Sequence, residues 1–73
     1  MKKTYQCKGI RGRPFIRSTE RIYTHAIVEF DRSGQPLRAI SFCGNLNLAE
    51  KKLAAERKYL FGTTAAIVEV VEI

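Results

Sequence analysis

Seventy-three residues with a formal charge of +6, 45% apolar side chains and only 5 Gly and 2 Pro describe one small basic domain, and exclude both a second core and a disordered tail. The longest apolar run, Ala65-Ala66-Ile67-Val68, falls far short of the roughly 18 residues of a membrane helix, and Met1-Lys2-Lys3 leads into Thr4-Tyr5-Gln6-Cys7-Lys8 rather than an apolar signal segment. Residence in the cytoplasm, without a membrane partner, is expected.

Charge is uneven along the chain. Residues 1–40 carry nine Lys/Arg against three Asp/Glu, whereas residues 41–73 carry four of each. No linker or repeat divides the sequence, so the asymmetry predicts one positive side of a single domain over residues 1–73. Cys7 and Cys43 lie 36 positions apart with no CxxC and no histidine at ligand spacing. That is neither a disulfide framework nor a zinc ribbon, and core thiols are the expectation, with no metal and no cofactor. A core this small commonly needs a staple, and self-association as a homodimer is the one left.

Thr4–Lys8 alternates short polar and semi-apolar side chains and predicts a strand, broken by Gly9-Ile10-Arg11-Gly12-Arg13-Pro14. Arg21–Phe30 is the clearest strand: Ile22, Thr24, Ala26, Val28 and Phe30 share one parity, and Tyr23, His25, Ile27 and Glu29 the other. Asp31-Arg32-Ser33-Gly34-Gln35-Pro36 is turn chemistry, and Leu37–Cys43 returns as the second hairpin strand. Asn47, with Glu50 three residues on, predicts a capped helix start. Leu46, Ala49, Leu53 and Leu60 then make a thin apolar stripe, and Gly62 is placed to stop the helix in a left-handed cap. Thr63–Ile73 is β-branched and apolar at both parities, which predicts a central last strand.

The expected fold is α+β: a three- to four-stranded, mainly antiparallel sheet in the order β-β-β-α-β, with one helix on one face. One short helix covers one side of a sheet. The other side is then expected to display some of Tyr23, Ile27, Val71 and Ile73, more apolar surface than a solvated face shows.

Lys8, Arg11, Arg13, Arg17 and Arg21 put five cations into fourteen residues opposed only by Glu20, a pattern suited to successive phosphates. Solvation of a loop is the plainer use of such a run. Gly9-Ile10-Arg11-Gly12 matches the GxxG loop of KH domains in letters, but that loop joins two helices, and here a strand precedes it and Pro14 follows. Tyr23 and His25 have the chemistry to stack on bases, although packing is the commoner role. One histidine, no nucleophile elbow and no distinctive acid pair argue against an enzyme.

From Ala49 through Leu53 to Phe61-Gly62-Thr63 and Ile67, the helix, Gly-Thr junction and terminal strand resemble a pattern in small phage- and prophage-encoded β-α-β proteins, including some anti-CRISPR proteins. The likeness covers about the last third of the chain. It implies a compact accessory protein that occupies a surface of a host nucleoprotein machine, and it carries no functional residues with it.

Two functions are therefore expected to compete. In the first, a non-enzymatic module engages nucleic acid or an acidic protein surface through Lys8, Arg11, Arg13, Arg17 and Arg21. In the second, a protein-interaction or inhibitor module uses the uncovered sheet face, with Tyr23 and Ile27 at the interface.

Overall fold

A computed structural model of the chain describes residues 2–8, 15–60 and 62–73. In chain order they form β1 (Lys3–Cys7), β2 (Ile16–Thr19), β3 (His25–Phe30), β4 (Pro36–Cys43), α1 (Leu46–Glu56), a 3₁₀ turn (Arg57–Tyr59) and β5 (Thr64–Glu72). Every strand pairing is antiparallel and the sheet order is β2-β1-β5-β3-β4. The class is α+β, with β5 central. The expected three or four strands in the order β-β-β-α-β are corrected to five, in the order β-β-β-β-α-β.

The additional strand is β2. Its sequence, Ile-Arg-Ser-Thr, is exposed at three of four positions and shows no apolar alternation, so nothing in its own pattern declares a strand. It forms because β1 offers it a free edge: Lys3 pairs with Thr19 and Gln6 with Ile16, and Thr4 Oγ1 and Ser18 Oγ lie 3.1 Å apart. At the third strand, the regular backbone begins at His25 rather than Arg21. Parity counted back from Val28 therefore fails before His25. Tyr23 turns onto the same side as Ala26 and Val28 instead of the side of Ile27.

Two apolar clusters result, one on each side of the sheet. Beneath α1 lie Ile27, Cys43, Ala49 and Ala65, joined by Ile40, Leu53, Leu60 and Ile67. On the opposite side lie Tyr5, Cys7, Tyr23, Ala26, Val28 and Val70, joined by Phe15, Phe30, Phe42 and Val68. Among the described residues no helix lies over this second cluster. The sheet covers it by curling: the Tyr23 ring centroid is 5.6 Å from that of Tyr5 on β1 and 5.5 Å from that of Phe42 on β4. Edge strands separated by three others would stand about 19 Å apart in a flat sheet at the usual spacing. Yet Arg17, on the β2 edge, lies 5.8 Å from the Phe42 ring on the β4 edge. The expectation that the second face needs an outside cover is thus corrected, because aromatic side chains draw the edges together over it.

The helix cap lies two residues earlier than expected. Asn45, extended at φ −159°, accepts from the Leu48 amide at 2.8 Å, so Asn45 rather than Asn47 is the N-cap. At the other end α1 tightens into the 3₁₀ turn and Leu60 is already extended. Gly62, at φ +73°, follows as a loop residue and not as the helix stop. A Cβ there would meet Arg32 Nη2 at 3.2 Å in addition to the unfavourable backbone region. Gly62→Ala is expected to cost about 1–2 kcal/mol, read as a lower thermal midpoint.

Candidate functional site: the basic side of the curled sheet

The β1–β2 ladder sets Arg17 opposite Tyr5, so its side chain belongs to the inner side of the curl. There its Cζ lies 5.8 Å from the ring centroids of both Tyr23 and Phe42. The guanidinium is held by two aromatic faces, remains exposed, and pairs with no carboxylate among the described residues. Its donors are therefore left for an incoming group. Arg21 follows β2, also exposed, with its backbone amide donating to Thr19 Oγ1 at 3.2 Å. Lys8 differs: its Nζ is 3.6 Å from Glu69 Oε2, across the outer side of the β1–β5 pair. Of the five expected cations, Arg17 and Arg21 share the β2 side and Lys8 is ion-paired, while Arg11 and Arg13 lie outside the described residues, as does the Gly9–Gly12 pattern.

Neither expected interface residue is presented to a partner. Ile27 is 0% exposed under α1, and Tyr23 is 8% exposed within the aromatic cluster. That correction follows from the two events above: the helix takes the Ile27 side, and the curl takes the Tyr23 side. Exposed apolar side chains on the sheet lie elsewhere: Leu37 on β4, and a group beside β1. Ile16 and Val71 both pair with Gln6, and Ile73 donates its amide to Thr4 O at 2.8 Å, so all three flank β1. Val71 and Ile73 are among the residues that sequence parity already singled out; Ile16 was hidden because its strand was.

His25 pairs with Glu69 and Cys43 across the sheet, and its Nδ1 lies 2.8 Å from Thr24 Oγ1. Cys7 and Cys43 are free and buried in different clusters, on opposite sides of the sheet, and burial pushes the Cys7 thiol up from its ordinary value. No group of three or more His, Cys, Asp or Glu with the geometry of a metal site occurs among the described residues. Nor is any helix among them long and apolar enough to cross a membrane.

A second charged corner lies at the far end of β5. Glu29, whose side chain is 13% exposed, accepts from Arg38 Nε at 2.6 Å and from Thr63 Oγ1 at 2.8 Å. The Arg38 and Thr63 hydrogen bonds hold its carboxyl below the usual carboxylate range. Asp31 is lowered likewise, first by the Ser33 hydroxyl and then by the Gln35 amide of its own turn. A folded-state pKa below the unfolded one gives stability that is present above about pH 4.3, the unfolded value for Glu, and is lost as pH falls through the folded value. Denaturant titrations from pH 6 to pH 3 should therefore show a stability loss that is shallower in Glu29→Gln than in the natural chain. Beside this corner a cleft of about 340 Å³ is lined by Arg57, Leu60, Thr63, Thr64 and Ala65. Sequence reasoning missed it, since its walls come from a helix end and a strand start separated by a loop.

No family model, curated protein or solved structure matches the chain. The site's chemistry is thus carried by its own residues.

Proposed function

We propose that this protein is a small non-enzymatic binding module that engages a nucleic-acid backbone through its basic N-terminal side. The observation that carries this reading is Arg17, an exposed guanidinium oriented by two aromatic rings and committed to no carboxylate among the described residues. Guanidinium matches phosphate bidentately, and an Arg already restrained by packing loses less freedom on binding than a free surface side chain. Arg21 extends the positive edge, and Arg11 and Arg13, outside the described residues, complete the proposed set of contacts. Lys8, paired to Glu69, contributes less net charge to that edge.

The test is binding of labelled single- and double-stranded oligonucleotides across a salt series. Log affinity should fall linearly with log salt, at about 0.9 per neutralised phosphate for duplex and about 0.7 for single strands. A flat response overturns the reading. It would favour instead a protein partner seated on the outer apolar strip of Ile16, Val71 and Ile73.

A further inference from the structure

The cleft between the end of α1 and the start of β5 combines a cation with an apolar floor, beside a threonine whose hydroxyl is donated to Glu29. Arg57 and Thr64 are exposed at its rim, Thr63 is half-buried, and Leu60 and Ala65 supply apolar surface. A volume of about 340 Å³ is at the lower end of small-molecule sites, which run from about 300 to 1,000 Å³. Arg57 pairs with no carboxylate among the described residues. A second guanidinium stands against the same loop: Arg32 reaches from the β3–β4 turn to within 3.2 Å of where a Cβ on Gly62 would be, so the absence of a side chain at Gly62 admits it. The neighbouring acids are already answered, Glu29 by Arg38 and Thr63, and Asp31 by Ser33 and Gln35 within its turn. Tyr59, two residues from Arg57, is 74% exposed and offers a flat apolar ring at the same helix end.

We propose that this cleft binds a phosphorylated small molecule with a flat apolar body, a nucleoside monophosphate being its simplest form, with Arg57 as the cation that meets the phosphate. Guanidinium donors suit a phosphate monoester, and the Leu60 and Ala65 surface suits the body attached to it; the Thr63 hydroxyl is already donated to Glu29. The site is separate from the Arg17 edge. Arg17 lies against Tyr23 and Phe42 on the curled side of the sheet, whereas Leu60 and Ala65 belong to the cluster beneath α1 on the other side.

The experiment is an amide and guanidinium NMR titration of the full chain with adenosine monophosphate, adenosine and inorganic phosphate in turn. Adenosine monophosphate should shift Arg57, Leu60 and Thr63–Ala65, inorganic phosphate should shift the same group at higher concentration, and adenosine should not. Arg57→Gln should weaken the nucleotide at least tenfold with the rest of the spectrum unchanged, and Thr64→Val should weaken it by a smaller factor. Equal shifts from adenosine, equal affinity for inorganic phosphate and the nucleotide, an unchanged titration in Arg57→Gln, or shifts confined to Arg17 and Arg21 would each overturn the proposal. Arg17→Gln should leave this titration unchanged, so failure here and failure of the backbone-binding reading are told apart.

Discussion

Replacing Ile27 by alanine is expected to destabilise the folded chain by about 3 kcal/mol, within the range of about 2–5 kcal/mol for truncating a buried aliphatic side chain. Ile27 is 0% exposed and joins the sheet to the helix through Cys43, Ala49 and Ala65. Its cross-strand partners are Ser41 and Ile67, and the register shift between Ile27 and Val28 leaves Ile40 as the added residue beside it. Three of its neighbours are too small or too fixed to collapse into the space, so the cavity persists. A domain of this length has about 4–11 kcal/mol in hand, at roughly 0.05–0.15 kcal/mol per residue, so the loss is a large fraction of the total. The thermal midpoint should drop by on the order of 15 °C. Val71→Ala, on the exposed outer strip, should change stability by no more than about 0.5 kcal/mol. If the two variants melt alike, the assignment of Ile27 to the core beneath α1 is wrong.

The second large effect is on binding. Arg17→Gln should weaken oligonucleotide affinity about tenfold at low salt, the worth of one charged hydrogen-bonded contact, and reduce the salt slope by about one for duplex. Glutamine keeps much of the side chain's length and removes the charge, so the slope isolates the phosphate contact. Loss of the cation–π contacts with Tyr23 and Phe42 should lower stability by only about 0.5–1 kcal/mol. The variant remains folded on that scale, and Lys8→Gln, which removes a charge already shared with Glu69, should change the slope less. An Arg17→Gln protein with the parent slope would show that this guanidinium serves only to close the curl.

Much of the core of the fold was legible because its pattern is local. The alternation through Ala26, Ile27 and Val28, the Asp31 turn and the two-sided apolar run of β5 each follow from neighbouring residues, and each is where the sequence puts it. What was not legible depends on contacts distant in the chain. Ile16–Thr19 becomes a strand only because β1 is beside it. Tyr23 changes sides because the strand starts at His25, four residues later than expected, and no periodicity records a start. The Asn45 cap competes with Asn47 on nearly equal chemical terms, and backbone geometry alone decides. The curl was hidden for a related reason: Tyr5, Tyr23 and Phe42 are dispersed over 38 positions, and their meeting is a property of the closed sheet. For the candidate site, the cationic run was visible, but its division into an aromatic-held Arg17 and an ion-paired Lys8 was not.

The placement of one free thiol in each apolar cluster has a practical corollary. Cys7 and Cys43 sit on opposite sides of a shared strand layer, each shielded from solvent reagents while its own cluster stays shut. Alkylation of either sulfur must wait for its half of the interior to breathe, so the chain carries two built-in clocks. Whether they tick in unison or separately would distinguish a molecule that comes apart all at once from one that unzips by halves.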